Sequence, residues 1–146
     1  MAQSDVLLTE LKSHGYRLTR TRRALLDVFC SLTCPVQAPE LVAMLAALGV
    51  LVNKTTVYRE LAFLERAGMV HRVLLADGLT RYELARQEHH HHLFCVRCKA
   101  VSRVCLDDSI CAVSDAIRRQ SGFRTNAHSI EFFGICPRCD EGERQE

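Results

Sequence analysis

The sequence predicts an α+β fold, an N-terminal winged helix-turn-helix followed by a small αβ domain. Three observations predict it. Four stretches with helical apolar spacing precede two short β-rich runs around Ala76-Asp77-Gly78, the element order of a helix-turn-helix with a wing. A short polar segment then interrupts the pattern. Beyond it, two cysteine pairs, Cys95-Val-Arg-Cys98 and Cys136-Pro-Arg-Cys139, bracket a second run of strands and helix. The expected boundaries are 1–85 for the winged helix, 86–88 for the hinge and 89–146 for the metal-binding part.

Each element has a local reason. Ser4 can cap a helix carrying Val6, Leu7, Leu8 and Leu11, with Gly15 at its end. Thr19 can cap a second, whose apolar face is Ala24, Leu25, Val28 and Phe29. Pro39 suits the first turn of a third helix, Glu40 to Leu48, which Gly49 stops. Asn53 caps a fourth, Lys54 to Ala67, stopped by Gly68. At 100° per residue, Val57, Leu61 and Leu64 share one face of this helix, while Thr55, Arg59 and Arg66 lie opposite. Tyr58 and Thr56 flank them. Val70–Leu75 and Thr80–Leu84 then read as a hairpin.

After the hinge the expected elements are a strand at His89–Phe94, a strand at Val101–Val104, a helix at Asp108–Ser121 and a strand at Ser129–Ile135. Asp107 is the candidate cap of that helix, and Ile110, Val113 and Ile117 form its apolar stripe. The tail beyond Asp140 is polar.

Composition limits the classes. Of 146 residues, 48% are hydrophobic and 25% charged, which is globular. No apolar run approaches the roughly 20 residues that span a bilayer. The start of the chain lacks a secretory leader pattern, so a cytoplasmic protein without a membrane partner is expected. Up to Arg86 there are 11 Lys/Arg against 8 Asp/Glu; from Gln87 there are 8 against 9. The basic excess, with Arg17 to Arg23 as its densest run, thus sits in the winged-helix half. That run reads as a solvated face or a phosphate-binding one. The outward residues of the fourth helix suit phosphates and base edges in a major groove.

Two CxxC pairs supply the four sulfurs of a closed tetrahedral zinc site. The 37 residues between Cys98 and Cys136 would be stapled at both ends. Four filled positions leave no room for substrate, so the role is structural. An iron–sulfur cluster is the competing reading. The run His89 to His92 alternates along a strand: His90 and His92 share one face, His89 and His91 the other. Glu83 at the end of the wing, with His90 and His92, can form a site bridging the hinge, and Cys34 can reach it. Cys105, Asp108, Cys111 and His128 are candidates for the other face. Cys30 reads as core, and His14 and His71 as surface or structural residues.

In this order the motifs resemble the ferric uptake regulator superfamily of metal-dependent bacterial repressors. They are Gly15-Tyr16-Arg17-Leu18-Thr19 with Arg22, Thr55-Thr56-Val57-Tyr58-Arg59, Arg81-Tyr82-Glu83-Leu84, His89 to Cys98, Asn126 to Ser129 and Cys136 to Cys139. The resemblance implies a homodimer, paired through the C-terminal αβ domain and bound to a palindromic double-stranded operator. It implies DNA contacts from Arg17, Arg22, Thr55, Thr56, Tyr58 and Arg59, with Arg17 in the minor groove. It implies structural Zn2+ on Cys95, Cys98, Cys136 and Cys139, and a regulatory metal on Glu83, His90 and His92. A third site falls to His89, His91 and His128, with Cys111 at a position the family usually gives to Glu. Cys34 likewise stands where a His is common.

Thiolate in both places favours zinc, whereas Glu83 matches the iron-sensing branch. Fe2+ and Zn2+ are therefore both expected as co-repressor, with Mn2+ as a surrogate, and peroxide or redox sensing as the alternative signal. The expected function is repression of iron or zinc uptake and homeostasis genes, without a small-molecule substrate. An enzyme is not expected, because nothing marks a nucleophile or general base. A deaminase would need H-x-E and P-C-x-x-C, whereas here Pro137 lies inside the CxxC. A zinc storage or chaperone protein explains the ligands but not the winged-helix half.

Overall fold

The computed structural model describes residues 3–85, 90–106, 109–125 and 130–143. The chain divides into two compact units, Met1–Gln87 and Glu88–Glu146.

The N-terminal unit runs α1 (Gln3–Ser13), α2 (Arg20–Ser31), α3 (Ala38–Ala47), α4 (Lys54–Arg66), β1 (Val70–Leu74) and β2 (Thr80–Leu84). It is a winged helix-turn-helix. Two of the expected caps are formed: Thr19 Oγ1 accepts from Arg22 N at 3.1 Å, and Asn53 Oδ1 from Thr56 N at 2.8 Å. Ser4 is not the cap of α1. It lies inside the helix and is buried, because α1 starts at Gln3. The helix ends at Gly15, whose φ of +79° lets Tyr16 N reach Leu11 O at 3.0 Å. Helix α3 starts two residues before Glu40, since Gln37 and Glu40 close a capping box with Pro39 in the first turn.

The core joins all four helices and the hairpin. Leu11, Leu25, Phe29, Leu41, Leu61 and Leu64 are fully buried in it, with Val70 and Leu84 from the strands. β1 and β2 pair antiparallel from Val70↔Leu84 to Leu74↔Thr80. A separate bridge, Val36 to Tyr82, ties the loop after α2 to the wing through two backbone bonds of 2.9 and 2.8 Å.

The C-terminal unit holds β3 (His91–Cys95), β4 (Val101–Val104), α5 (Ser109–Ser121), β5 (Glu131–Gly134) and α6 (Pro137–Glu143). The sheet order is β4-β3-β5, with β3 antiparallel to β4 and parallel to β5. Helix α6 is not among the expected elements, which give a CxxC motif up to Cys139 and a polar tail after Asp140. Pro137 opens the helix, a position where a missing N–H costs nothing, and Cys139 N and Asp140 N both return to Cys136 O. Asp107, Asp108 and Ser129, expected at the ends of α5 and β5, lie outside the described residues, as does the hinge at 86–88.

Candidate functional site

Four thiols converge in the C-terminal unit. β3 ends on Cys95, and the parallel register sets Cys95 beside Gly134, two residues before Cys136. Cys98 comes from the turn after β3, where Lys99 adopts a left-handed φ of 62° and Lys99 N bonds back to Cys95 O at 2.9 Å. Cys139 comes from α6. All four sulfurs lie within 4.8 Å of one another, and Cys98 Sγ is 3.6 Å from Cys136 Sγ. A zinc ion with Zn–S bonds of about 2.3 Å spaces tetrahedral sulfurs by roughly 3.8 Å, so the donor set fits that ion.

The surroundings favour thiolate at two of the four. Backbone N–H groups of Cys136 and Cys98 lower Cys95 to about 6, and Cys136 N lies 3.4 Å from Cys95 Sγ. The N–H of Ala100 leads the lowering of Cys98. Cys139 is pushed up to about 12, first by its hydrogen bond with Cys136, then by burial and the other thiols. Four sulfurs this close cannot all carry charge unless a cation is shared among them. Arg97, beside Cys98, donates to Cys139 O at 3.2 Å.

A second surface lies on α4. Val57, Leu61 and Leu64 are fully buried, while Thr55, Tyr58 and Arg59 face solvent and Thr56 is half-buried. Tyr58 is 43% exposed, and the Lys54 ammonium lies 5.8 Å from its ring centroid. Hydroxyls, a phenol and cations thus share one helix face. Arg17 is exposed in the strap between α1 and α2.

Arg22, expected among the DNA-contacting residues, faces inward. It is 8% exposed, turned into its own unit, and engaged with Glu60, Phe63 and the Arg17 carbonyl. Arg22 lies on the side of α2 that carries the buried Leu25, Leu26 and Phe29, and Glu60 lies one turn before Leu64 on α4.

Glu83, on β2, is 4% exposed and accepts a hydrogen bond from His71 Nε2 at 2.8 Å. That bond raises the pKa of His71. His71 was read as merely surface or structural; the hairpin register places it opposite Glu83. Cys34 is half-buried in the loop that the Val36–Tyr82 bridge ties to this strand. In the C-terminal unit, the His90 and His92 rings sit 5.1 Å apart at 88°, as expected of one strand face. His91 points the other way, is 2% exposed and meets Phe132 edge-on at 6.3 Å. Its expected companions His89 and His128 lie outside the described residues, as does the side chain of Cys111.

Residues 13–133 match the ferric uptake regulator family. The chain belongs to that family. The ferric uptake regulation protein of Neisseria meningitidis is 31% identical over 139 residues, covering 94% of this chain and 96% of the relative. The crystal structure of the Vibrio cholerae ferric uptake regulator is 32% identical with a TM-score of 0.76, covering 88% of this chain and 98% of that one. A zinc uptake regulator, solved in complex with zinc and DNA, is 25% identical with a TM-score of 0.64, covering 99% of both chains. Ferric uptake regulator family members are metal-dependent transcription regulators, and this chain carries candidate metal donors and a candidate DNA-binding helix. Among the described residues, no helix is long and apolar enough to cross a membrane.

Proposed function

We propose that this ferric uptake regulator family member is a transcriptional repressor of iron or zinc uptake and homeostasis genes, with a divalent metal as co-repressor. The observation that carries the reading is α4, a helix packed by Val57, Leu61 and Leu64 so that Thr55, Tyr58 and Arg59 are presented outward on a rigid support. The related zinc uptake regulator bound to zinc and DNA supports the same reading. In this proposal α4 enters the major groove, with Thr55, Thr56, Tyr58 and Arg59 on DNA and Arg17 in the minor groove.

Cys95, Cys98, Cys136 and Cys139 would hold structural Zn2+. Zinc there supplies a double positive charge shared by thiolates, and the cysteines fasten β3, the Lys99 turn and α6 together. The regulatory ion, Fe2+ or Zn2+ with Mn2+ as a surrogate, would be held by Glu83, His90 and His92, with Cys34 completing the set. His89, His91, Cys111 and His128 are the proposed third set. Exposed apolar groups of the C-terminal unit, among them Val113, Phe123, Phe132 and Phe133, support self-association into a homodimer.

Glu83 belongs to the wing, while His90 and His92 precede and open the sheet after the hinge. Shared ligation would link the DNA-reading unit to the pairing unit. In a dimer that linkage sets the spacing of two α4 helices, and palindromic half-sites have fixed spacing. Metal and operator must then tighten each other's binding by the same factor. The test is DNA binding by gel shift as Fe2+, Mn2+ or Zn2+ is added. Glu83→Ala combined with His90→Ala should stay a dimer, keep zinc on the four cysteines and lose the metal response. A normal response from that variant moves the sensing site elsewhere.

A further inference from the structure

Arg22 is almost wholly buried, yet it touches both parts of the proposed DNA-reading surface. Its Nε and Nη2 donate to the two carboxylate oxygens of Glu60 at 2.9 and 3.3 Å. Its Nη1 donates to the backbone carbonyl of Arg17. The guanidinium carbon stacks 3.5 Å from the centroid of the Phe63 ring. Tyr16 also meets that ring, edge-on, at 5.0 Å and 89°. The Arg22 backbone N–H is itself held by Thr19 Oγ1.

The geometry has a clear division of labour. Glu60 and Phe63 belong to α4, and Glu60 directly follows Arg59 and lies two residues after Tyr58. Tyr16, Arg17 and Thr19 belong to the strap between α1 and α2. A planar guanidinium with fork-shaped donors is the side chain suited to hold a carboxylate and a carbonyl at once. The Arg22 and Glu60 side chains are only 10% and 15% exposed, so the pair is shielded from solvent screening.

We propose that Arg22 is a positioning residue for DNA recognition. Acting with Glu60 and Phe63, it locks the strap bearing Arg17 to α4, so that both groove-reading segments present as one rigid set. The proposal rests on the DNA-binding reading above. It makes an unusual demand of Glu60. Removing a negative charge from a DNA-binding face ordinarily strengthens attraction to phosphates. If Glu60 acts through Arg22, removing it weakens recognition instead.

The experiment uses the full-length, metal-loaded protein. Its probe is a duplex that the unaltered chain selects from a random-sequence pool, with a scrambled duplex of equal length as control. Arg22→Met and Glu60→Gln should each weaken the selected duplex about tenfold and change the scrambled one by less than about twofold. Adding Arg22→Met to Arg17→Ala should cause no further loss, because the effect passes through Arg17. If Arg22→Met does not fold, Glu60→Gln carries the test alone, since its amide preserves shape and one hydrogen bond.

Glu60→Gln binding equally or more tightly overturns the proposal. So does additive loss in the Arg17→Ala background, which is the result expected if Arg22 met phosphate directly. Loss of thermal stability with unaltered discrimination between the two duplexes assigns a purely structural staple and also overturns it. An unaltered chain that enriches no duplex, or Tyr58→Ala and Arg59→Ala variants that bind like their parent, sinks the DNA-binding reading and this proposal with it.

Discussion

At the residue scale, two clusters carry sharply different chemistry. The four cysteines place two lowered thiols beside a strongly raised one, an arrangement that a divalent cation resolves by deprotonating all of them. Binding energy at such a site is folding energy. Cys98→Ser should therefore lower bound zinc from about one per chain to near zero and loosen the C-terminal unit, read by metal analysis and protease resistance. In the wing, Arg81 grips Asp77 through two bonds of 2.9 and 2.7 Å and holds its carboxyl down at about 2, against an ordinary value of 3.8. A lowered folded-state value means that the native wing resists protonation. Its stabilisation is present above about pH 4 and disappears as pH falls toward 2. Asp77→Asn should cost on the order of 1 kcal/mol at neutral pH and flatten the acid dependence across that window in denaturant melts.

At the element scale, α4 combines support and readout. Leu61→Ala should destabilise the N-terminal unit by roughly 2–5 kcal/mol, because the side chain is wholly enclosed. Tyr58→Ala should relax discrimination among duplexes, whereas Arg59→Ala should weaken all of them and lower the salt slope by about one. Equal behaviour of both variants and the parent at matched salt would mean the wrong helix was chosen. Most of this element was legible beforehand: Asn53 as cap, Val57, Leu61 and Leu64 as the buried face, Gly68 as the stop. The inward turn of Arg22 was not, because a basic run next to a cap reads as surface until its carboxylate partner, 38 positions away, is brought beside it. The His71–Glu83 pair was closer to hand. Counting outward from the Asp77 turn pairs those two positions, but the sequence reading weighed His71 as an isolated residue.

At the scale of the whole chain, the order of winged helix and cysteine-bracketed sheet was legible because each part has its own local grammar. Helix α6 was not, since its seven residues offer no apolar period, and only Pro137 and the need to aim Cys139 define it. The proposed coupling makes a prediction at this scale. Adding the selected duplex should tighten the affinity for Mn2+ by the same factor that Mn2+ tightens the duplex, and the two titrations by calorimetry should agree within error. Metal affinity that ignores DNA would uncouple sensing from binding.

The parallel pairing of β3 with β5 also has a consequence for how the protein is made. Cys95 and Cys98 leave the ribosome 38 to 44 residues ahead of Cys136 and Cys139. At about 5–20 residues per second that is a delay of roughly 2–9 seconds. During it, the leading pair has only the β3–β4 hairpin behind it, because its parallel partner β5 has yet to be synthesised. Parallel strands require their whole crossover before they pair, which makes this a late and slow step. The leading thiols are thus most open to oxidants before the chain is complete, and best protected once zinc closes the ring. Refolding with zinc present from the start should recover more metal-loaded protein than adding the same zinc after a brief pulse of peroxide. Equal yields would show that the front pair is never left waiting.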